Sequence, residues 1–144
     1  MIFKESKEMK INILPEQEDQ LCSKETIKKI FARDEKGECV AFDIYEDDNM
    51  VGFAMFCNRS ADGFGWFLWN YAIDAQYQNR GLGTKALKEL LEYMVSNYDA
   101  NLFTTTYEWG NNHAKHIYEK VGFIEKAIVE EDGCKEVDMI YKVD

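Results

Sequence analysis

Apolar side chains recur at intervals of three and four after Ala86: Leu87, Leu90, Leu91, Met94, Val95 and Tyr98 share one face of a helix that begins near Gly81 and Gly83. On either side the pattern turns β-like. Cys39 to Tyr45 and Met50 to Cys57 are β-prone, and the polar Glu46-Asp47-Asp48-Asn49 between them predicts a hairpin. Phe64 to Ile73 (FGWFLWNYAI) predicts a third strand that stops at Asp74, and Asn101 to Tyr107 (NLFTTTY) a strand that returns beside it. Strand, helix and strand in that order imply a right-handed parallel crossover. A second helix is expected over Asn112 to Val121, with Asn111 as N-cap and Gly122 as its stop. Two closing strands surround the Asp132-Gly133 turn, the second alternating as Val137, Met139, Tyr141 and Val143. Upstream, Lys10 to Leu14 reads as a short strand. Glu25 to Arg33, with Ile27, Ile30 and Phe31 on one face and Ser23 as cap, reads as an amphipathic helix. The expected class is α/β of the α+β type, built on a mixed sheet.

A length of 144 residues with 46% apolar and 14% aromatic side chains fits one packed domain over residues 1–144, and neither a linker nor a repeat divides it. Acidic side chains outnumber basic ones by 27 to 17, for a net charge of -10, which disfavours nucleic acid and anionic lipid as partners. The same charge suits a cationic ligand, and equally serves solubility. MIFKESKEMK is no signal peptide, and no run of some eighteen apolar residues could span a membrane, so a cytoplasmic protein is expected. Cys22, Cys39, Cys57 and Cys134 form no C-x-x-C pair and suggest neither zinc nor disulfides. His113 and His116 stand three apart on the second helix without a third ligand, so no metal is expected.

The local chemistry concentrates in QYQNRGLGTKALKELL, residues 76–91, where Arg80, Lys85 and Lys88 occur without an intervening acid. A helix start offers unpartnered backbone N–H groups and the positive end of the helix dipole, and glycines let an anion approach. A turn that merely needs glycine would leave the same trace. A P-loop is excluded, because Gly83 is followed by Thr84 and then Lys85 rather than by Lys and Ser or Thr. A dinucleotide-binding oxidoreductase remains open on pattern, since Gly81 to Ala86 fits G-x-G-x-x-A. That motif, however, normally opens the first βαβ unit, and here some eighty residues precede it.

Gln78-Asn79-Arg80-Gly81-Leu82-Gly83 resembles the Q/R-x-x-G-x-G/A signature of the GNAT superfamily of acyl-coenzyme A-dependent N-acyltransferases. About forty residues later Asn111, Ala114, Tyr118, Gly122 and Phe123 resemble that family's N-x-x-A-x-x-x-Y-x-x-x-G-F segment. The likeness extends from about Glu38 to the C-terminus and is loose over the first 35 residues. It implies a mixed sheet of about six to seven strands with helices on both faces, and a splayed strand pair holding a pantetheine arm beside Tyr71, Ala72 and Ile73. The backbone of Asn79, Arg80, Gly81, Leu82, Gly83 and Thr84 would hold the diphosphate, and Asn111 would reach the arm or the acyl group. Tyr118 matches the tyrosine that protonates the departing thiolate. The general base has no matched residue, and Glu108 is the nearest acid. The implied reaction moves acetyl from acetyl-CoA, as cosubstrate, directly to a primary amine. Asp43 to Asp48 followed by Val51 to Met55 looks like the hairpin of polyamine acetyltransferases, which points to a small cationic acceptor. Trp66, Trp69 and Trp109 are candidates to line its pocket. A non-catalytic acyl-CoA sensor or scaffold is the alternative, and a homodimer is compatible with the family.

Overall fold

The computed structural model describes residues 1–144, the side chain of Asp19 excepted. In chain order it contains β1 (Ile2–Ser6), α1 (Lys24–Arg33), β2 (Cys39–Glu46), β3 (Asn49–Arg59), β4 (Gly65–Ile73), α2 (Leu82–Tyr98), β5 (Leu102–Glu108), α3 (Asn112–Val121), β6 (Ile124–Glu131) and β7 (Cys134–Lys142). Short 3-10 turns occupy Pro15–Gln20, Ser60–Asp62 and Ala75–Tyr77. The strands form one sheet in the order β1-β2-β3-β4-β5-β7-β6. Every neighbouring pair is antiparallel except β4 and β5, which are parallel across the α2 crossover. No helix is long and apolar enough to cross a membrane.

Period-two alternation divides the core between two faces of the sheet. Phe42, Ile44, Ala54, Phe56 and Leu68 face α2, whose Leu87, Leu90, Leu91 and Met94 are buried against them, and Val121 of α3 joins the same cluster. Ala41, Phe53, Met55 and Ala72 point the other way and pack with Ile27 of α1. Ser23 caps α1 through its Oγ, which accepts from the Thr26 N–H at 3.1 Å. That bond satisfies one of the donors a helix start leaves free.

The expected strand over Lys10 to Leu14 does not form. The sheet edge it would need is taken by β1, which pairs with β2 in the register Ile2↔Tyr45. Met9 and Ile11 are instead buried under α1. This segment docks on the end of β4 at one point: the Asn12 N–H donates to Asp74 Oδ2 at 3.0 Å, and the Asn12 carbonyl accepts from Ala75 at 2.7 Å. The alternation of Met9, Ile11 and Ile13 reflects burial on a sheet face rather than pairing at an edge.

The parallel pair is short. It runs from Trp66↔Phe103 to Leu68↔Thr105 and ends there, although both strands continue. Hydroxyls tie it: Thr104 Oγ1 donates to the Phe64 carbonyl at 2.8 Å and Thr105 Oγ1 to the Leu68 carbonyl at 3.0 Å. Just past this point β3 and β4 slip register, Met55 facing Asn70 and Phe56 facing Leu68, so Trp69 is the extra residue of a bulge. A bulge bends its strand and raises the local twist. Here it carries β4 away from β5.

The strands meet most closely where they begin. Gly65 has φ +61°, and a Cβ there would lie 2.3 Å from the Leu102 carbonyl oxygen. Gly65→Ala should therefore lower stability in urea denaturation by about 3 kcal/mol or more, since both the backbone and the contact resist it. A loss below about 1 kcal/mol would show that β4 and β5 can separate at this end as well.

Candidate active site

Beyond Leu68 the edge of β4 that faces β5 has no strand partner. The hydrogen-bonding phase of β4 follows from one contact, the Asp74 N–H donating to the Val51 carbonyl at 2.8 Å. With Phe53↔Ala72 and Gly52↔Ile73 in register, Ala72 directs its N–H and C=O to β3, whereas Tyr71 and Ile73 direct theirs into the opening. Of the three residues expected beside an extended arm, two offer backbone groups, and Ala72 contributes only its small side chain. The Ile73 carbonyl already accepts from Gln78 Nε2 at 3.0 Å.

Gln78 is a strut that sequence pattern alone left without a role. Its amide also donates to Gln17 Oε1 at 2.8 Å, pinning the Pro15–Gln20 turn over the opening. Asn111 acts alike: Oδ1 caps α3 by accepting from Ala114 at 3.1 Å, and Nδ2 donates to Gln20 Oε1 at 2.7 Å. Asn70 makes a third tie, its Oδ1 accepting from the Cys22 N–H at 3.1 Å. Asn111 thus spends both ends of its amide on holding structure, which differs from the expectation that it would reach a ligand.

The opening is a cavity of about 670 Å³ that passes through the sheet. On the α2 and α3 side it is lined by Tyr71, Gly81, Leu82, Gly83, Thr84 and Tyr118, and on the α1 side by Cys22, Phe67, Trp69 and Asn70. Asn79, Ala72, Ile73, Asn111 and Glu108 also line it. Arg80 is the exception among the expected residues, its guanidinium lying over the Tyr77 ring at 5.6 Å. Lys85 pairs with Glu46 of the hairpin at 3.4 Å. Trp66 packs edge-on against Tyr98 in the core, and Trp109 lies beneath Lys135 Nζ at 3.9 Å, so Trp69 alone of the three tryptophans lines the cavity.

The start of α2 is open to an anion. Its N-cap is Gly81 at φ +76°, with no side-chain cap and no acid in the first turn, and a Cβ on Gly81 would meet nothing within 4 Å. The first-turn N–H groups face this space unopposed. Gly83 has a different cause: a Cβ there would sit 3.0 Å from Ile117 Cδ1. Its bare α-carbon admits α3, and the open space beside the helix start lies at Gly81.

Where β4 and β5 part, two tyrosines converge. The Tyr71 hydroxyl donates to the Gly83 carbonyl at 2.6 Å. Its pKa is pushed up by burial and then by the neighbouring Tyr118. Burial also raises the Tyr118 pKa, with the Thr105 hydroxyl pulling the other way. Tyr118 therefore keeps its proton throughout the neutral range. On the opposite side Asn70 is buried at 2% exposure, and its Nδ2 has no hydrogen-bond partner. Glu108 is exposed at the end of β5 and faces Glu136 of β7 directly across the strands, both at the cavity mouth. Among the described residues, no group of His, Cys, Asp or Glu is placed to hold a metal, and His113 and His116 stand at the mouth without a third ligand.

Residues 3–123 match the model of the Acetyltransferase (GNAT) family. The chain belongs to the GNAT family. The match reaches upstream of Glu38 into segments where resemblance by motif was loose, and stops before the closing hairpin. Over 85 residues the chain is 32% identical to a spermine/spermidine N(1)-acetyltransferase of Bacillus subtilis (strain 168), covering 56% of each protein. A probable spermine N(1)-acetyltransferase of Bacillus subtilis subsp. natto gives the same figures. The matched stretch thus spans little more than half the length of these relatives. Among solved structures, a mutant spermidine N-acetyltransferase from Vibrio cholerae superposes with a TM-score of 0.70 at 16% identity, over 83% of this chain and 75% of that one. An aminoglycoside acetyltransferase in complex with coenzyme A gives a TM-score of 0.69 at 16% identity, over 83% and 76%. These structural likenesses establish the GNAT fold. A dinucleotide-binding fold is ruled out by topology, since β4 and β5 are the only parallel neighbours among the described strands.

The tyrosines give this GNAT domain an alkaline signature. Tyr71 and Tyr118 hold their protons more tightly folded than unfolded. The native state therefore binds more protons once pH exceeds the ordinary tyrosine value of about 10, and stability falls with rising pH from there. Urea midpoints measured from neutral pH upward should stay flat with respect to these groups and then decline above roughly pH 10. Tyr118→Phe should make that decline shallower. An identical alkaline decline in the variant would mean that Tyr118 ionises as freely in the fold as in the open chain.

Proposed function

We infer that the protein is an N-acetyltransferase that moves acetyl from acetyl-CoA to a primary amine of a small cationic acceptor, within a ternary complex. The observation that carries this reading is the combination at the splayed strands: a free backbone edge at Tyr71 and Ile73, an uncapped helix start beside it, and a protonated tyrosine where the strands part.

The diphosphate of acetyl-CoA fits the N–H groups of the first turn of α2, with Gly81 leaving room and Leu82, Gly83 and Thr84 supplying donors. Asn79, at φ +63°, shapes the approach to that turn. The pantetheine arm then lies as an added strand between β4 and β5, pairing with the Tyr71 backbone and the Ile73 N–H. This brings the thioester to the point where β4 and β5 part. The amine enters from the α1 side, where Cys22, Trp69 and Asn70 line the wall.

Attack requires a neutral amine, and the proton it sheds passes to water at the mouth, where Glu108 and Glu136 place negative charge. Like charges directly opposite one another across strands cost stability, and neither carboxylate has an ion-pair partner among the described residues. A cationic acceptor would relieve that repulsion. The net charge of -10 and the spermine/spermidine acetyltransferase relatives support an acceptor of the polyamine type. Tyr118 donates its proton to the departing thiolate, and its raised pKa keeps that proton available throughout the neutral range.

The test is release of free thiol from acetyl-CoA in the presence of spermidine, diamines, an aminoglycoside or a peptide N-terminus. Spermidine or a diamine should be consumed fastest. Tyr118→Phe should lower kcat by roughly 10² to 10⁴ with acetyl-CoA affinity unchanged. Tight acetyl-CoA binding without thiol release from any amine would identify a sensor rather than an enzyme, and turnover of an aminoglycoside or peptide alone would remove the polyamine assignment.

A further inference from the structure

Two buried side-chain polar atoms lack a partner among the described residues, Asp43 Oδ1 and Asn70 Nδ2. Asp43 has its other oxygen on Lys10 at 2.8 Å and lies outside the cavity. Asn70 is a wall of the cavity, and its orientation is fixed. The Cys22 backbone N–H can only donate, so the amide oxygen must face it, and the NH₂ group is left turned away as an unused donor. A buried donor without an acceptor is rare in folded proteins and calls for an explanation at the site where it occurs. An unsatisfied N–H cannot hold an ammonium group, so the acceptor amine does not explain it. It calls for an acceptor lone pair, and a neutral amine must keep its own lone pair for attack, which leaves an oxygen of the acyl donor.

The reading of the site as an acetyl-CoA site, on which this inference rests, supplies that oxygen at the right depth. Tyr71 OH contacts the Gly83 carbonyl, and Ile73 Cγ1 is 3.8 Å from the position of a Gly83 Cβ, so the start of α2 lies beside the far end of β4. From Ile73 back to Leu68 the strand advances only as far as Gly52 to Phe56 on its partner, because the bulged Trp69 adds no step of its own, roughly 13 Å at ~3.3 Å per step. About thirteen bonds separate phosphorus from sulfur in the phosphopantetheine arm, roughly 16 Å at ordinary bond lengths when extended, which covers that span with the phosphate about 3 Å beyond Ile73. An arm anchored at Gly81 to Thr84 and laid along β4 therefore ends between Leu68 and Asn70. Tyr118 and Thr105 flank this point on one side of the sheet, and Asn70 on the other.

We propose that Asn70 is a catalytic residue whose Nδ2–H donates to the carbonyl oxygen of the thioester. As the amine lone pair forms the C–N bond, the carbonyl π electrons move onto that oxygen, and the Asn70 amide stabilises the charge they bring. When the C=O bond re-forms, the C–S pair leaves with sulfur and takes the Tyr118 proton, while the surplus proton on nitrogen passes to water at the mouth. Donors held ready for a developing oxyanion act without reorganising, which is the largest single contribution in many acyl transfers. The bulge at Trp69 serves this arrangement, since it sets Asn70 just past Leu68, the last residue of β4 paired with β5.

Asn70→Asp keeps an oxygen for the Cys22 N–H but replaces the donor with an acceptor, and Asn70→Leu removes both functions at similar volume. Each should lower kcat by about 10² to 10³ with the amine KM little changed. The direct reading is the infrared carbonyl band of bound acetyl-CoA labelled with ¹³C at the thioester carbonyl. It should shift to lower frequency in the wild-type protein relative to free acetyl-CoA, and should lose that shift in Asn70→Asp. An unshifted wild-type band, or the same shift and the same kcat in a folded Asn70→Asp, overturns the proposal. The band also separates this inference from the function it rests on: a shifted, Asn70-dependent band without turnover leaves the donor role standing and removes the enzyme. Failure of the wild-type protein to bind acetyl-CoA removes both.

Discussion

The site depends on the early end of one parallel strand pair. β4 and β5 are joined from Trp66 to Leu68 and separate beyond Thr105, because the extra residue at Trp69 bends β4 while β3 still holds its other edge. A sheet that separates in its middle exposes backbone groups that elsewhere would cost stability. Here these groups, on Tyr71 and Ile73 of β4, are the ones proposed to pair with an extended ligand. The joined end resists the separation through the Thr104 and Thr105 hydroxyls and the tight fit at Gly65. The opening is thus confined to one end by interactions at the other.

What covers the opening is held by polar side chains from distant parts of the chain. Gln78, Asn111 and Asn70 each reach the 17–22 segment, at Gln17, Gln20 and Cys22 respectively. Three single amide contacts fix a roof that carries few buried apolar residues, with Leu21 and Cys22 only partly buried against the α1 core. Such a roof can be repositioned at little energetic cost, because each net hydrogen bond is worth only about 1 kcal/mol. The cavity wall beneath it is rigid by contrast, since Asn70 and Tyr71 lie on a strand paired to β3.

Periodicity carried most of the fold. α2, α3, the β2 and β3 hairpin and β7 formed where the apolar pattern placed them, because each buries a face whose spacing matches its element, whereas β6 is exposed along its length and is placed by the Asp132-Gly133 turn. The first 22 residues were less legible. Ile2–Ser6 is an edge strand with little burial, so it leaves no alternation, while Met9, Ile11 and Ile13 alternate without being a strand. In the site, motif spacing placed Tyr118, Asn111 and the glycines at the cavity, but did not reveal their separate causes. Gly83 admits Ile117, Asn111 ties down Gln20, and Ala72 points its backbone at β3. Asn70 carried no signal in sequence, because its importance lies in a bulge and an unpaired donor that exist only once β4 is folded against its neighbours.

The central claim is that the free edge of β4 takes the arm of acetyl-CoA as an added strand. Backbone amide exchange resolved by residue, followed by NMR with and without acetyl-CoA, addresses it directly. The N–H groups of Tyr71 and Ile73 should exchange more slowly with the ligand bound, and that of Ala72, already paired with Phe53, should not change. Protection of the α2 first turn without any at Tyr71 and Ile73 would contradict the account, because the diphosphate would then be held while the arm lay elsewhere.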